Sequence, residues 1–221
     1  MSSTSILPPR ISPAGYATMS NTAIVSTFRK AKETPQAMKK TYKVNEIFYS
    51  LQGEGFFTGT PAVFLRFCLC NRHCQFCDTD FARGSDMTAD EIIARVSCFP
   101  SRHIVITGGE PTLQLDCELI RLLKAERFFI QIETNGSNPV PTGVDWVTCS
   151  PKDAPWQIDR IDELKIVYQG QDVETIADLL PSPRHYLQPC SGNNTAETVD
   201  YILRHPHWRL SLQTHKLIDI R

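Results

Sequence analysis

From Tyr42 onward the chain alternates short apolar, β-branched runs with stretches of helical periodicity. "KVNEIFYS", "AVFLRF", "HIVITGG", "FFIQIET", "DWVTCS", "ELKIVY", "HYLQP" and "WRLSLQTH" read as strands. Thr88 with Glu91 three positions later gives a capping-box pattern ahead of "IIARV", and Leu113–Glu126, Val173–Leu180 and Thr195–His205 carry helical spacing. Such alternation predicts an α/β domain with a mostly parallel sheet, and its order suits a TIM-like β/α barrel, complete or partial. In that architecture the loops after the strand C-termini hold the chemistry. "AVFLRF" ends where a group of cysteines begins, "HIVITGG" runs into "GGEP" and "DWVTCS" into "SPK", so three unusual segments are expected at one end of the sheet.

Composition bounds the rest. With 221 residues and 41% hydrophobic content the chain can bury one sizeable core, which argues for one domain over residues 42–221. The 23 Lys+Arg against 24 Asp+Glu leave a formal charge of -1, so no global attraction to nucleic acid or acidic membranes is expected. No apolar run approaches the ~18 to 20 residues that a membrane helix needs. Residues 1–41 are Ser- and Pro-containing, lack acids before Glu33 and have no secretion-signal core. That segment is expected to be a disordered extension or, given Met19 and Met38, a mis-assigned start; a transit peptide has similar composition.

"RFCLCNRHCQFCDTDF", Arg66–Phe81, places four of the eight cysteines within ten positions. A disulfide scaffold suits short, core-poor secreted chains, so this crowding points instead to a metal in a reducing, cytoplasmic compartment. Cys70, Cys74 and Cys77 stand as C-x3-C-x2-C, with Cys68 two places before. Soft thiolates at such spacing select zinc or an iron–sulfur cluster. Zinc would need a fourth ligand, Cys68 or His73, because no second cysteine pair follows downstream. A cubane cluster normally takes four thiolates, and supplying three leaves one iron open to a small molecule. Cys98, Cys117, Cys149 and Cys190 are isolated and read as small buried hydrophobes, and His73 as a solvent-facing polar residue.

Other segments carry polar groups suited to a ligand. "LQGEG" offers the Gln52 amide and the Glu54 carboxylate between glycines that permit close backbone approach, though a plain turn has the same composition. Arg66, at a strand end, suits a two-pronged pair with a carboxylate. Asp78 and Thr79 suit a cap on the segment leaving the cysteine loop.

"CNRHCQFCDT" resembles the cluster loop of the radical S-adenosylmethionine superfamily, and "FYSLQGEGFFTGTPAVFLRF", "VITGGEP", "IETNG", "SPK" and "LQTHK" resemble its 7-carboxy-7-deazaguanine synthase family, from about Val44 to the C-terminus. The resemblance implies a partial barrel of the radical SAM type, and a [4Fe–4S] cluster on Cys70, Cys74 and Cys77 whose open iron chelates S-adenosylmethionine. It also implies reductive cleavage to a 5'-deoxyadenosyl radical. It implies conversion of 6-carboxy-5,6,7,8-tetrahydropterin to 7-carboxy-7-deazaguanine with loss of ammonia, on the way to 7-deazapurines such as queuosine. By the same likeness Leu51, Gln52, Gly53, Arg66 and Thr107 face the substrate, while Phe76, Cys77, Asp78, Gly109, Ser150, Pro151, Lys152 and Gln188 face the cofactor. Thr79 matches a Mg²⁺ ligand. No role is assigned to Gln213–Lys216, and the carboxylate of Arg221 is expected near the substrate. A flavodoxin-type reductant and a homodimer are implied as well. Two alternatives stay open: a zinc-stabilised binding module closed by Cys68, and a glycyl-radical activase, against which "LQGEG" and "QTHK" weigh.

Overall fold

An antiparallel hairpin starts the sheet. In the computed structural model, which describes residues 39–75, 77 and 83–221, β1 (Thr41–Leu51) turns back as β2 (Pro61–Phe67), and β3 (Ser85–Thr88) lies antiparallel on the other side of β1. From β2 onward the pairing is parallel through β4 (His103–Gly108), β5 (Phe129–Thr134), β6 (Trp146–Cys149), β7 (Glu163–Tyr168), β8 (His185–Pro189) and β9 (Trp208–Leu210). The order β3-β1-β2-β4-β5-β6-β7-β8-β9 ends on β3 and β9, which makes an open, partial β/α barrel. Residues Lys39–Arg221 form one compact unit. The expectation for 1–41 falls, up to residue 38, outside the described residues.

Helices α1 (Ala89–Ser97), α2 (Cys117–Ala125), α3 (Val173–Leu179), α4 (Thr195–Arg204) and the short α5 (Thr214–Leu217) connect the strands or follow the last of them. The Thr88–Glu91 capping box is present: Thr88 Oγ1 accepts the Glu91 N–H at 3.3 Å, and Glu91 Oε2 accepts the Thr88 N–H at 2.7 Å. The stretch Leu113–Glu126 is not one helix. A 3-10 turn at Pro111–Leu113 precedes α2, whose start is fixed by Asp116 accepting the Leu119 N–H at 3.0 Å. "WRLSLQTH" also divides, into β9 and α5. β3 had no sequence signal, because "SDMT" pairs on one side only, carries one apolar residue and has no buried position.

The period-2 alternation of the strands assigns each side chain to one face. Val63, Leu65 and Phe67 of β2, Ile104 and Ile106 of β4, Ile130 and Ile132 of β5 and Val147 of β6 face the helices, packing with Ile92 and Val96 of α1 and Leu119 and Leu123 of α2. Leu164, Ile166 and Leu187 do the same with Val173 and Ala177 of α3. The other phase points into the barrel: Phe64 and Arg66, Val105 and Thr107, Glu133, Lys165 and Val167, and Gln188 line a cavity there. The barrel interior is therefore largely polar.

Candidate active site

The cavity, of about 620 Å³, falls in the usual range for a small-molecule site. It is built between two ends of the barrel. Its floor comes from the β1–β2 loop, at the strand N-termini, and its roof from the loops that follow β2, β4 and β6.

The floor loop is closed by two backbone bonds, Gln52 N to Thr60 O at 2.8 Å and Gly59 N to Gln52 O at 2.7 Å. Phe56 stacks on Trp146 with ring centroids 4.9 Å apart, Phe57 meets the same indole edge-on at 4.8 Å, and Phe57 also meets His103 at 4.8 Å. Aromatic packing thus plugs the lower end. The segment after β9 clasps the loop from above. The Thr214 N–H and hydroxyl reach Gly53 O at 2.9 and 3.0 Å, and Gly55 N–H donates to Ser211 Oγ at 3.0 Å. Gln213, which the sequence left without a role, donates to Glu54 Oε1 at 2.8 Å.

Above the plug lies a buried charged layer. Lys165 Nζ stands 2.6 Å from Glu54 Oε2 and 2.8 Å from Glu133 Oε2, and Gln52 Nε2 donates to Glu133 Oε1 at 3.2 Å. Burial alone would lower the Lys165 pKa, but Glu133, Glu54 and Glu163 outweigh it and hold the lysine charged. One cation cannot fully serve two carboxylates. Glu54 is pulled below the usual glutamate range because Lys165 overcomes its burial, whereas Glu133 is raised, by burial first and by the neighbouring Glu54 charge. Neither Glu133 nor Lys165 was singled out from sequence. Their signal was polar residues at alternating positions inside otherwise apolar strands, "FIQIET" and "ELKIVY".

On the wall, Arg66 Nε donates to Glu46 Oε1 at 2.9 Å across the hairpin, and Glu46 also pairs with Arg221. The Arg221 backbone carbonyl accepts the Ser50 hydroxyl, which brings the chain end onto the cavity.

The roof carries the three thiols. Cys70, Cys74 and Cys77 all line the cavity, and Cys68 does not. Cys68 is 4% exposed and its Sγ donates to Arg83 O at 3.2 Å, toward the β1–β3 side. No group of three or more His, Cys, Asp or Glu is gathered to hold a single ion among the described residues. A closed zinc site on Cys68, Cys70, Cys74 and Cys77 therefore does not fit this arrangement, whereas three thiolates spread along one loop suit a cluster with one ligand per iron. Burial raises the Cys70 thiol, the more so with Glu110, Cys74 and Cys77 nearby. His73 is exposed, as expected for a polar residue that ligates nothing.

Asn71 ties this loop down. Its Nδ2 donates to Ser137 Oγ at 2.8 Å and its Oδ1 accepts from Asn135 Nδ2 at 3.0 Å, so "IETNG" acts as an anchor. Glu110, fully buried, accepts from Asn135 N at 2.7 Å and from Thr134 Oγ1 at 2.8 Å, and its own N–H donates to Leu69 O at 2.8 Å. Gly109 sits where a Cβ would lie 2.0 Å from Leu69 O, which explains why this position carries no side chain. Lys152 Nζ donates to Ser150 O and Ser150 Oγ, each at 2.9 Å, and burial lowers its pKa.

Of the residues named from sequence, Leu51, Gln52, Gly53, Arg66, Thr107, Cys70, Cys74, Cys77, Gly109, Ser150, Lys152 and Gln188 share this cavity, while Pro151 is not on its lining. Phe76, Asp78 and Thr79 lie outside the described residues. The isolated cysteines split. Cys149 is buried, its thiol pushed up to about 12 by burial, and Cys190 is half-buried. Cys98 and Cys117 are exposed, against expectation, because one is the C-cap of α1 and the other the first residue of α2, where side chains leave the core.

A sequence profile of the radical SAM superfamily matches residues 66–205. The chain is 59% identical over 180 residues to a 7-carboxy-7-deazaguanine synthase of Bacteroides thetaiotaomicron, covering 81% of this chain and 98% of that protein. The chain belongs to the radical SAM superfamily, within the 7-carboxy-7-deazaguanine synthase family. A second family member, from Burkholderia multivorans, is 44% identical over 209 residues, covering 81% of this chain and 99% of that protein. In three dimensions the chain matches the crystal structure of QueE from Escherichia coli with a TM-score of 0.67 at 33% identity, over 79% of this chain and 95% of the other. Membership of the radical SAM superfamily brings a [4Fe–4S] cluster and S-adenosylmethionine, and the donor set at the roof, three cavity-facing thiols with Cys68 turned elsewhere, fits that cluster. No helix among the described residues is long and apolar enough to cross a membrane.

Proposed function

We propose that this protein is a 7-carboxy-7-deazaguanine synthase that converts 6-carboxy-5,6,7,8-tetrahydropterin to 7-carboxy-7-deazaguanine with loss of ammonia. The observation that carries the reading is one cavity lined at its roof by Cys70, Cys74 and Cys77 and lower down by Gln52, Glu54 and Arg66, in a chain 59% identical to a family member. Cys70, Cys74 and Cys77 would hold the cluster, with Gly109, Ser150, Lys152 and Gln188 beside the S-adenosylmethionine. Once bound and reduced, that pair supplies the hydrogen-abstracting radical.

The chain's own residues bind and aim. The Arg66 guanidinium, fixed by Glu46, offers donors to the substrate carboxylate. Glu54 and Glu133 offer acceptors to the amino and ring N–H groups of a pterin, and Lys165 keeps this layer from carrying two uncompensated charges. The aromatic plug below and the roof above restrict water around the reacting carbon. Mg²⁺ at Thr79, a flavodoxin-type electron donor and a homodimer belong to the same reading, on family likeness. Protein reconstituted anaerobically with iron and sulfide should, with dithionite, S-adenosylmethionine and the carboxypterin, yield the deazaguanine by mass spectrometry, and more with added Mg²⁺. Cleavage of S-adenosylmethionine without any change in the pterin would refute the substrate assignment.

A further inference from the structure

Glu163 takes no part in the cavity wall, yet it is 1% exposed and lies directly under the floor loop. Its Oε2 accepts the Phe56 N–H at 3.1 Å. Its Oε1 is buried with no hydrogen-bond partner. Gly55, at φ +64°, lies against the same carboxyl, and a Cβ there would be 1.9 Å from Oε1. The loop is thus shaped around one acid group. Phe56, whose N–H that group holds, stacks on Trp146, and Arg184 lies 4.8 Å from both ring centroids.

The charges facing Glu163 come from each element packed on it. Glu133 projects from β5 and Lys165 from β7 itself, Glu54 of the loop is tied to Lys165, Arg184 lies over Phe56 and Trp146, and His103 of β4 is against Phe57. Lys165 already serves two carboxylates. An ionised Glu163 would be a third carboxylate beside Lys165, with Oε1 outside hydrogen-bond geometry to any donor. A neutral carboxyl meets the same contacts at less cost.

We propose that protonated Glu163 is a positioning residue that clamps the floor loop, Gln52–Thr60, beneath the cavity, and that ionising it favours release of the loop into water. In support, burial and then the Glu133 charge push its pKa up to about 7, against the pull of Lys165, the Phe56 N–H and the Trp146 indole. The loop carries Gln52 and Glu54 into the cavity, so its position governs binding. That last step rests on the proposed substrate; the clamp itself does not.

The test is hydrogen exchange of the peptide covering residues 52–60 in anaerobically reconstituted protein, divided by the intrinsic rate, from pH 5 to 8.5. In the wild type, protection should fall by up to about tenfold per pH unit as pH rises toward about 7 and level off above it, where Glu163 is ionised in the closed loop as well. Glu163→Gln keeps a neutral acceptor for the Phe56 N–H and should hold its pH 6 protection throughout. Glu163→Ala should lose about tenfold at every pH, the size expected for one buried hydrogen bond. Wild type and Glu163→Gln falling together with pH, or Glu163→Ala as protected as Glu163→Gln, would overturn the clamp. KM for the carboxypterin should rise with pH in the wild type and stay flat in Glu163→Gln. The expected exchange pattern without turnover of that pterin would count against the substrate and leave the clamp standing.

Discussion

Asn135 donates its side-chain amide to Asn71 Oδ1 at 3.0 Å, joining the loop after β5 to the loop between Cys70 and Cys74. Neither residue is a ligand. Their effect is on where the thiols stand, and the bond from Asn71 to Ser137 doubles the attachment.

Replacing Asn71 by alanine should loosen that loop while leaving the core intact. Partners that orient ligands are usually worth ten- to a hundredfold in metal affinity, so iron loss to a chelator should quicken by about tenfold. The melting temperature of the metal-free protein should change little. Iron release at the wild-type rate would show that the loop needs no anchor.

Cys68 separates the cluster reading from a zinc site. Because its sulfur turns toward Arg83 and away from the cavity, Cys68→Ala should keep its iron and lose about 1 kcal/mol of stability, a common size for one buried substitution. Cys70→Ala, Cys74→Ala and Cys77→Ala should each fail to retain the cluster. Equal iron loss in all four variants would restore a four-thiolate site.

Gly109→Ala would place a methyl group against the Leu69 carbonyl, a backbone atom that cannot swing aside. Relieving the clash moves the end of β4 or the start of the cysteine loop, at a cost of about 1 to 3 kcal/mol. Chemical denaturation should register that loss, and binding of S-adenosylmethionine to the reconstituted protein should weaken with it. A variant with wild-type stability would mean that the loop yields freely.

The carboxyl of Glu163 also makes stability depend on pH. Its pKa is raised from the ordinary 4.5 to about 7, so the folded state binds more protons than the unfolded state between those values. Stability from this group is complete below about pH 4.5 and is lost as pH rises to about 7, a change of about 3 kcal/mol. Urea denaturation of the wild type minus that of Glu163→Gln should isolate this slope, since the other titrating groups largely cancel in the difference. A difference independent of pH would refute it.

The strands were legible because their outward phase is Val, Ile and Leu, and the roof because chemistry-bearing residues followed those runs directly. What lay hidden was depth. "LQGEG" precedes β2 and so sits at the end opposite the cysteines, a placement that follows from the antiparallel sense of β1, which local pattern does not reveal. Lys165 and Glu133 were hidden because a charged residue in a strand reads as its solvent face, whereas here that face is the barrel interior. β3 had too few apolar positions to register.

The seven-residue β2 joins the floor directly to the roof, since Gln52 bonds Thr60 just before it and Cys70 follows just after it. At roughly 3.3 Å per residue it is a measuring rod of about 20 Å. Lengthening it by two residues would preserve its alternation yet shift one end by one full pleat, so the separation of the Gln52 loop from the Cys70 loop is written into the length of a single strand.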